Sequence, residues 1–192
     1  EEIGIPAKQM VLGKHSGRHA FDDRLNQLGF KGTAEERNAL FVKFKELADR
    51  KKVVHDKDIE VLMGVHRNEE IIHGKFKLDR FVVNTGNTIT ATASVRLDNN
   101  GILHERVADA DGPVYAMFKA INKIAGVKPS LEDYSLQAVT EGQDAQGEVR
   151  VKIRNGSELY KGRGVSTDIL EASALAYINA VNQLIDDMEK SK

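Results

Sequence analysis

One internal repeat constrains this chain more than any other feature in it. Asp111 and Ile121-Asn122 return as Asp168 and Ile178-Asn179 at a single offset, and Phe118 falls opposite Leu175. Strand-like runs precede each copy, so the repeating pattern is strands followed by one helix. A repeat of this kind fixes architecture before any motif does. Two βββα units facing each other predict a symmetric sandwich with a cleft between the helix N-termini. Such a cleft suits a sensor of small molecules more than a reaction centre.

The first unit is the clearer one. Phe76, Leu78, Phe81 and Val83 mark a strand whose alternation slips once, as at a β-bulge. From Thr88 to Leu97 polar and apolar residues alternate strictly, which predicts one buried and one wet face. Asn100-Gly101 then predicts a tight hairpin into a third strand near Ile102–Val107. Ala110-Asp111-Gly112-Pro113-Val114 opens a helix to about Ala125, with Asp111 as N-cap and Pro113 in the first turn. Val114, Met117, Phe118, Ile121 and Ile124 share its apolar face. In the second unit Leu131, Tyr134, Leu136 and Ala138 suggest a strand, and Val149, Val151 and Ile153 another. Asn155-Gly156 repeats the hairpin signal, and a helix follows Ser166-Thr167-Asp168 with a face of small residues. Asp186 to Lys192 is polar and predicted to fray.

The first third reads as helical to about residue 66. Phe21, Leu25 and Leu28 share a face that Gly29 ends, and Thr33-x-x-Glu36 is a capping box for a helix through Leu47. Asp56 is placed to cap a third helix, and a linker is expected around Arg67–Glu70. Arg50-Lys51-Lys52 reads as a solvated helix end rather than a binding patch. His55 and His66 lack partners at ligand spacing, so no metal site is assigned. Gly13-Lys14-His15-Ser16-Gly17-Arg18-His19 is the one cluster with chemistry in it. Two glycines around basic residues can approach an anion closely and offer imidazoles that titrate near neutrality. A plain turn with an N-cap at Ser16 is the commoner outcome for such residues.

Composition closes off several classes. A net charge of −1, with acids and bases mixed, argues against nucleic acid or an anionic membrane as partner. The absence of cysteine removes disulfides, thiol nucleophiles and thiolate metal sites. No apolar run is long enough for a membrane span and no signal-peptide pattern is present, so the expected location is cytoplasmic. The chain begins at Glu1 without Met, and a fragment of something longer is expected. No nucleophile–base pair or phosphate loop is visible, which makes a free-standing enzyme the least favoured class.

Met10-Val11-Leu12-Gly13-Lys14-His15-Ser16-Gly17-Arg18-His19-Ala20-Phe21 resembles the segment that follows the catalytic barrel in 2-isopropylmalate synthases. Asp111-Gly112-Pro113-Val114, Asp133-Tyr134, Val139-Thr140-Glu141-Gly142 and Gly162-Arg163-Gly164-Val165-Ser166-Thr167-Asp168-Ile169 resemble that family's regulatory domain. The resemblance covers essentially the whole chain in order. It implies an α+β chain: small helical linker subdomains over 1–67, then an allosteric domain over 68–192 with units at about 71–126 and 131–190. It implies an acyltransferase parent that condenses acetyl-CoA with 2-oxoisovalerate in leucine biosynthesis. Its barrel would be absent here, and this fragment alone inactive. No cofactor is expected in the fragment; a divalent metal is expected in the barrel.

The resemblance also implies roles for particular residues. His15 matches a histidine that reaches the partner subunit's active site as a candidate acid–base group. Asp111, Gly112, Tyr134 and Ala138 match positions around the feedback amino acid, with Leu131, Thr140 and Ala145 nearby. Tyr115 departs from the pattern, which has a smaller or acidic residue there. The plain alternative for Tyr134 is a core tyrosine with its hydroxyl satisfied at the surface. A helix N-terminus can supply N–H groups to the effector's carboxylate, and Asp111 or loop carbonyls can receive its ammonium. The implied partners are a second copy of the chain, as a homodimer, and leucine as allosteric effector. Two alternatives stand beside this: the isoleucine-sensing region of a citramalate synthase, and an accessory catalytic segment supplying His15 in trans.

Overall fold

A computed structural model describes residues 12–71, 74–140 and 145–191, and of 65–71 the backbone alone. Met10, Val11, Glu141 and Gly142, quoted above for the resemblance, lie outside the described residues. Two compact units are present. The first holds the described residues through Glu69 together with Val139, Thr140 and Ala145. The second holds the described residues of Glu70–Ala138 and from Gln146 onward.

The helical unit contains α1 (Arg18–Gln27), α2 (Ala34–Arg50) and α3, which runs from Asp56 to Ile71 across the boundary between the units. Phe21, Leu25, Leu40, Phe44, Val54 and Ile59 form its core. The Phe21 and Phe44 rings stack with centroids 4.7 Å apart. The Thr33–Glu36 capping box is formed, each partner bonding the other's backbone N–H. Gly29 leaves α1 at φ +77°, a conformation open to glycine without strain.

Three sequence expectations for this unit are overturned. Helix α3 continues through Arg67–Glu70, where a linker was expected. Asp56 is the first residue of the helix and pairs with Arg24 instead of capping it, while Asp58 Oδ2 accepts from the His55 N–H just before the helix at 2.9 Å. Lys51 is not part of a solvated end. It is buried, and its ammonium meets the fully buried Asp58 carboxylate at 2.9 Å. A charge at a helix end can turn inward when a buried counter-charge waits for it.

The second unit is the expected pair of βββα repeats. β1 (Lys77–Asn84), β2 (Ala91–Asn99) and β3 (Ile102–Ala110) form an antiparallel sheet, followed by α4 (Pro113–Ala125). β4 (Ser130–Ala138), β5 (Gly147–Asn155) and β6 (Glu158–Ser166) form the second sheet, followed by α5 (Ile169–Lys190). Both first strands carry an irregularity near their start, after Leu78 and after Leu131. Helix α4 packs on β2 and β3, α5 on β5 and β6, and the two helices touch each other. Phe118 and Tyr177 stack at 4.0 Å in that helix seam, and one continuous core joins both repeats.

The repeat holds with a shift of one residue. β2 and β5, β3 and β6, and the first residues of α4 and α5 correspond at one offset, one residue shorter than the offset pairing Asp111 with Asp168. In that register Asp168 answers to Gly112 and not to Asp111. Proline's fixed φ suits the first helical position, which moves the N-cap onto Gly112 and leaves Asp111 outside. Asp168 does cap α5, its carboxylate accepting from the Leu170 and Glu171 N–H groups. The same shift appears in the hairpins. Asn100 and Gly101 both have positive φ, whereas in the second repeat the turn falls on Gly156 and Ser157, with Asn155 still in its strand. Thr88 and Ile89 precede β2 rather than joining it, and the residues from Asp186 to Lys190 stay helical instead of fraying.

Helix α5 lies on β6 at unusually short range. A Cβ on Gly162 would overlap the Ala176 carbonyl oxygen, and one on Gly164 the Ala172 carbonyl oxygen. The facing residues are small as well, so helix backbone meets strand backbone. Helix polar groups then finish the edge strands: Asn179 bonds the Arg163 carbonyl and Lys123 the Val107 carbonyl, equivalent positions in the two repeats. The outer sheet faces carry ion pairs, among them Arg96–Asp79 and Arg150 and Arg163 on the buried Glu148.

Two substitutions test this description. Gly162→Ala should cost about 1–3 kcal/mol in urea unfolding, as overpacking does, because the obstructing atom is backbone and cannot rotate away. Lys51→Met should cost about 3–5 kcal/mol in urea unfolding by breaking the buried Lys51–Asp58 pair.

Candidate functional site

Among the described residues, each unit has one feature that presents chemistry to a ligand. In the second unit the feature is the start of α4. Its N-cap, Gly112, has extended backbone (φ −146°, ψ 158°) and no side chain caps the helix. Pro113 has no N–H, so the N–H groups of Val114 and Tyr115 are the first two that a helix leaves without internal partners. The position that a Cβ of Gly112 would occupy is open, with nothing within 4 Å. At the equivalent end of α5, Asp168 already fills this role. The two repeats therefore differ where an anion would be received.

Tyr134 stands on β4, on the same face as Leu136 and Ala138 and opposite Val151 across the ladder. That face turns toward the helices, but α5 lies on β5 and β6, so among the described residues β4 is left largely exposed. Tyr134, Leu136 and Ile169 consequently leave between a third and a half of their surface exposed. The Tyr134 hydroxyl bonds Ser173 Oγ at 2.8 Å, and Ser173 in turn donates to the Ile169 carbonyl at 2.6 Å. Its ring lies 6.3 Å from that of Phe118, which ties β4 to α4. Tyr177 completes the cluster. Burial raises its hydroxyl pKa to about 12, against the opposing bond to Asn122 Oδ1, so it remains a donor across the usual pH range.

The sequence-derived residues are distributed as follows. Asp111 is exposed and caps nothing; Gly112, Tyr134 and Ala138 belong to the second unit, as does Leu131, half-buried against the core at the far end of β4. Thr140, which is buried, and Ala145 are grouped with the helical unit. Ser173 and Phe118 were not legible as neighbours of Tyr134, because contacts from β4 to α5 and α4 have no signature at short sequence range.

In the helical unit the feature is His15. Gly13 to Ser16 form a tight turn, closed by the Ser16 N–H on the Gly13 carbonyl at 2.9 Å. Ser16 Oγ accepts from the Gly13 N–H at 2.9 Å, so it seals the turn instead of capping α1; the N-cap is Gly17. His15 is exposed at the tip and lines an open cleft of about 820 Å³ with Lys14, Ser16, Asp49, Arg50 and Lys52. Lys14 and Asp49 pair at 2.9 Å, which raises the lysine's pKa and lowers the carboxylate's, by hydrogen bond first and charge second. The cleft is weakly cationic and places an exposed imidazole beside it.

Comparison with known proteins gives this geometry a context. Residues 53–185 match the family described as LeuA allosteric (dimerisation) domain. Residues 1–52 match the homocitrate synthase post-HMGL domain-like family. A 2-isopropylmalate synthase of Carboxydothermus hydrogenoformans is 53% identical over 97% of this chain and 36% of its own length. One from Ruminiclostridium cellulolyticum is 46% identical over 100% of this chain and 37% of its own length. One from Pyrococcus furiosus is 44% identical over 95% and 36% respectively. The chain therefore spans little more than a third of the length of these relatives. No helix among the described residues is long and apolar enough to cross a membrane.

Proposed function

We propose, for a chain that belongs to the LeuA allosteric (dimerisation) domain family, that it is the leucine-sensing and dimerising region of a 2-isopropylmalate synthase. The full enzyme is then the acetyl-CoA-dependent acyltransferase of leucine biosynthesis, with its divalent metal in a catalytic barrel outside this chain. The observation that carries the sensing role is the open N-terminus of α4, set in the repeat whose counterpart is closed by Asp168. A leucine carboxylate satisfies the free N–H groups beyond Gly112, where backbone donors and the helix dipole both favour an anion. Asp111, exposed beside them, receives the ammonium. Tyr134, Leu136 and Ala138 offer an apolar wall to the side chain, and Leu131 extends the same strand.

The uncovered apolar surface of β4 also supports dimerisation, since a second copy would remove it from water. An effector that contacts both copies favours one arrangement of the dimer, and that difference in affinity is what a feedback inhibitor needs. In the helical unit, His15 acts as acid–base group on substrate bound in the partner's barrel, so this chain alone has no synthase activity.

Gly112→Val tests the sensing role in the full-length enzyme. The extended backbone accepts valine and the Cβ position is open, so the enzyme should fold and turn over normally. Its branched side chain would stand where the ligand does, and inhibition by leucine should weaken at least about tenfold, within the usual range of allosteric coupling. Unchanged feedback and leucine affinity, measured by turnover assay and calorimetry with leucine and isoleucine in parallel, would move the pocket elsewhere.

A further inference from the structure

The turn that carries His15 is fixed from outside by one residue that neither the motif nor the proposed function includes. Lys45, near the end of α2, sends its ammonium to the Lys14 carbonyl at 2.8 Å and to the Ser16 carbonyl at 2.8 Å. These are the carbonyls that precede and follow His15. The same ammonium lies 5.4 Å from the centre of the Phe41 ring and 5.8 Å from that of Phe44. Both rings belong to the aromatic cluster with Phe21, so the charge is anchored on the core of the helical unit.

We propose that Lys45 is a positioning residue for His15, holding the turn so that the imidazole projects in one direction. The case rests on the reading of His15 given above, and on a contrast visible in the geometry. Every element around the imidazole is tied down: Leu12 bridges to Val54, Ser16 closes the turn through backbone and side chain, and Lys14 pairs with Asp49. His15 itself is exposed and has no hydrogen-bond partner among the described residues. A backbone determined by several bonds beneath a free side chain is the arrangement an acid–base group needs, because misplacement of about 1 Å can cost about 100-fold in rate. An ammonium suits the task better than a neutral donor. Its three protons can serve two carbonyls at once while the charge faces the aromatic rings.

A double-mutant cycle in the full-length synthase tests this with four proteins: wild type, His15→Ala, Lys45→Met and the double variant. Lys45→Met should lower kcat by roughly 10–100-fold with KM little changed, because what is lost is placement during the reaction. In the His15→Ala background the same substitution should change nothing, since Lys45 acts only through that imidazole. Lys45→Arg, which keeps a cation and several donors, should retain more turnover than Lys45→Met. Equal losses from Lys45→Met in both backgrounds, equal losses from Met and Arg, or no loss at all would overturn the proposal. Wild-type turnover in His15→Ala would overturn the reading of His15 itself, and the role of Lys45 with it. Impaired His15→Ala beside unimpaired Lys45→Met would overturn the role of Lys45 alone.

Discussion

The second unit depends on how closely α5 approaches β6. Glycine at 162 and 164, facing Ala172 and Ala176, lets helix backbone rest on strand backbone without intervening side chains. That contact fixes the height of α5 over its sheet, and so the plane in which Tyr177 stacks on Phe118 of α4. It also leaves β4 at the margin of the helix, touched through Tyr134 and Ser173. The exposure of Tyr134 and Leu136 is therefore not a packing fault in the second repeat. It follows from a helix held tightly over β5 and β6, which reaches β4 through the Tyr134–Ser173 bond and leaves most of that strand's face exposed.

The repeats share an architecture and differ at their polar ends, and those differences bear on function. Asp168 saturates one helix start with its own carboxylate; Gly112-Pro113 leaves the other without a side-chain partner. The His15 turn shows the same economy in the helical unit, where backbone groups are bonded and the side chain is free. In both places the fold satisfies what would otherwise be costly and leaves available the group that an external ligand can use.

Much of this was legible in the sequence because it is written at short range. Alternation gave β2 and β5, Asn100-Gly101 its hairpin, and Thr33 and Glu36 their capping box, each within a few residues. What stayed hidden depends on groups distant in sequence or on a contest between neighbours. Lys51 resembles a solvated lysine until Asp58 folds beneath it, and Lys45 resembles one until the Gly13–Ser16 turn arrives above it. Asp111 and Asp56 are good capping residues in isolation, but Pro113 moves the cap from the first onto Gly112, and the second lies within the first turn of α3, paired with Arg24. The bond from Tyr134 to Ser173 joins a strand to a later helix, so periodicity carries no trace of it. Of the candidate site, residue type pointed to Gly112 and Tyr134, while the hydroxyl's partner on α5, Ser173, lay beyond the reach of local pattern.

The central claim is that one of two related helix starts receives the effector. Amide NMR of this chain titrated with leucine addresses it most directly, because each backbone N–H reports for itself. The account predicts saturable shifts largest at Val114 and Tyr115, with accompanying changes at Tyr134, and little response at Leu170 and Glu171, whose N–H groups Asp168 already occupies. Shifts centred on Leu170 and Glu171, or no saturable shifts at the start of α4, would contradict it.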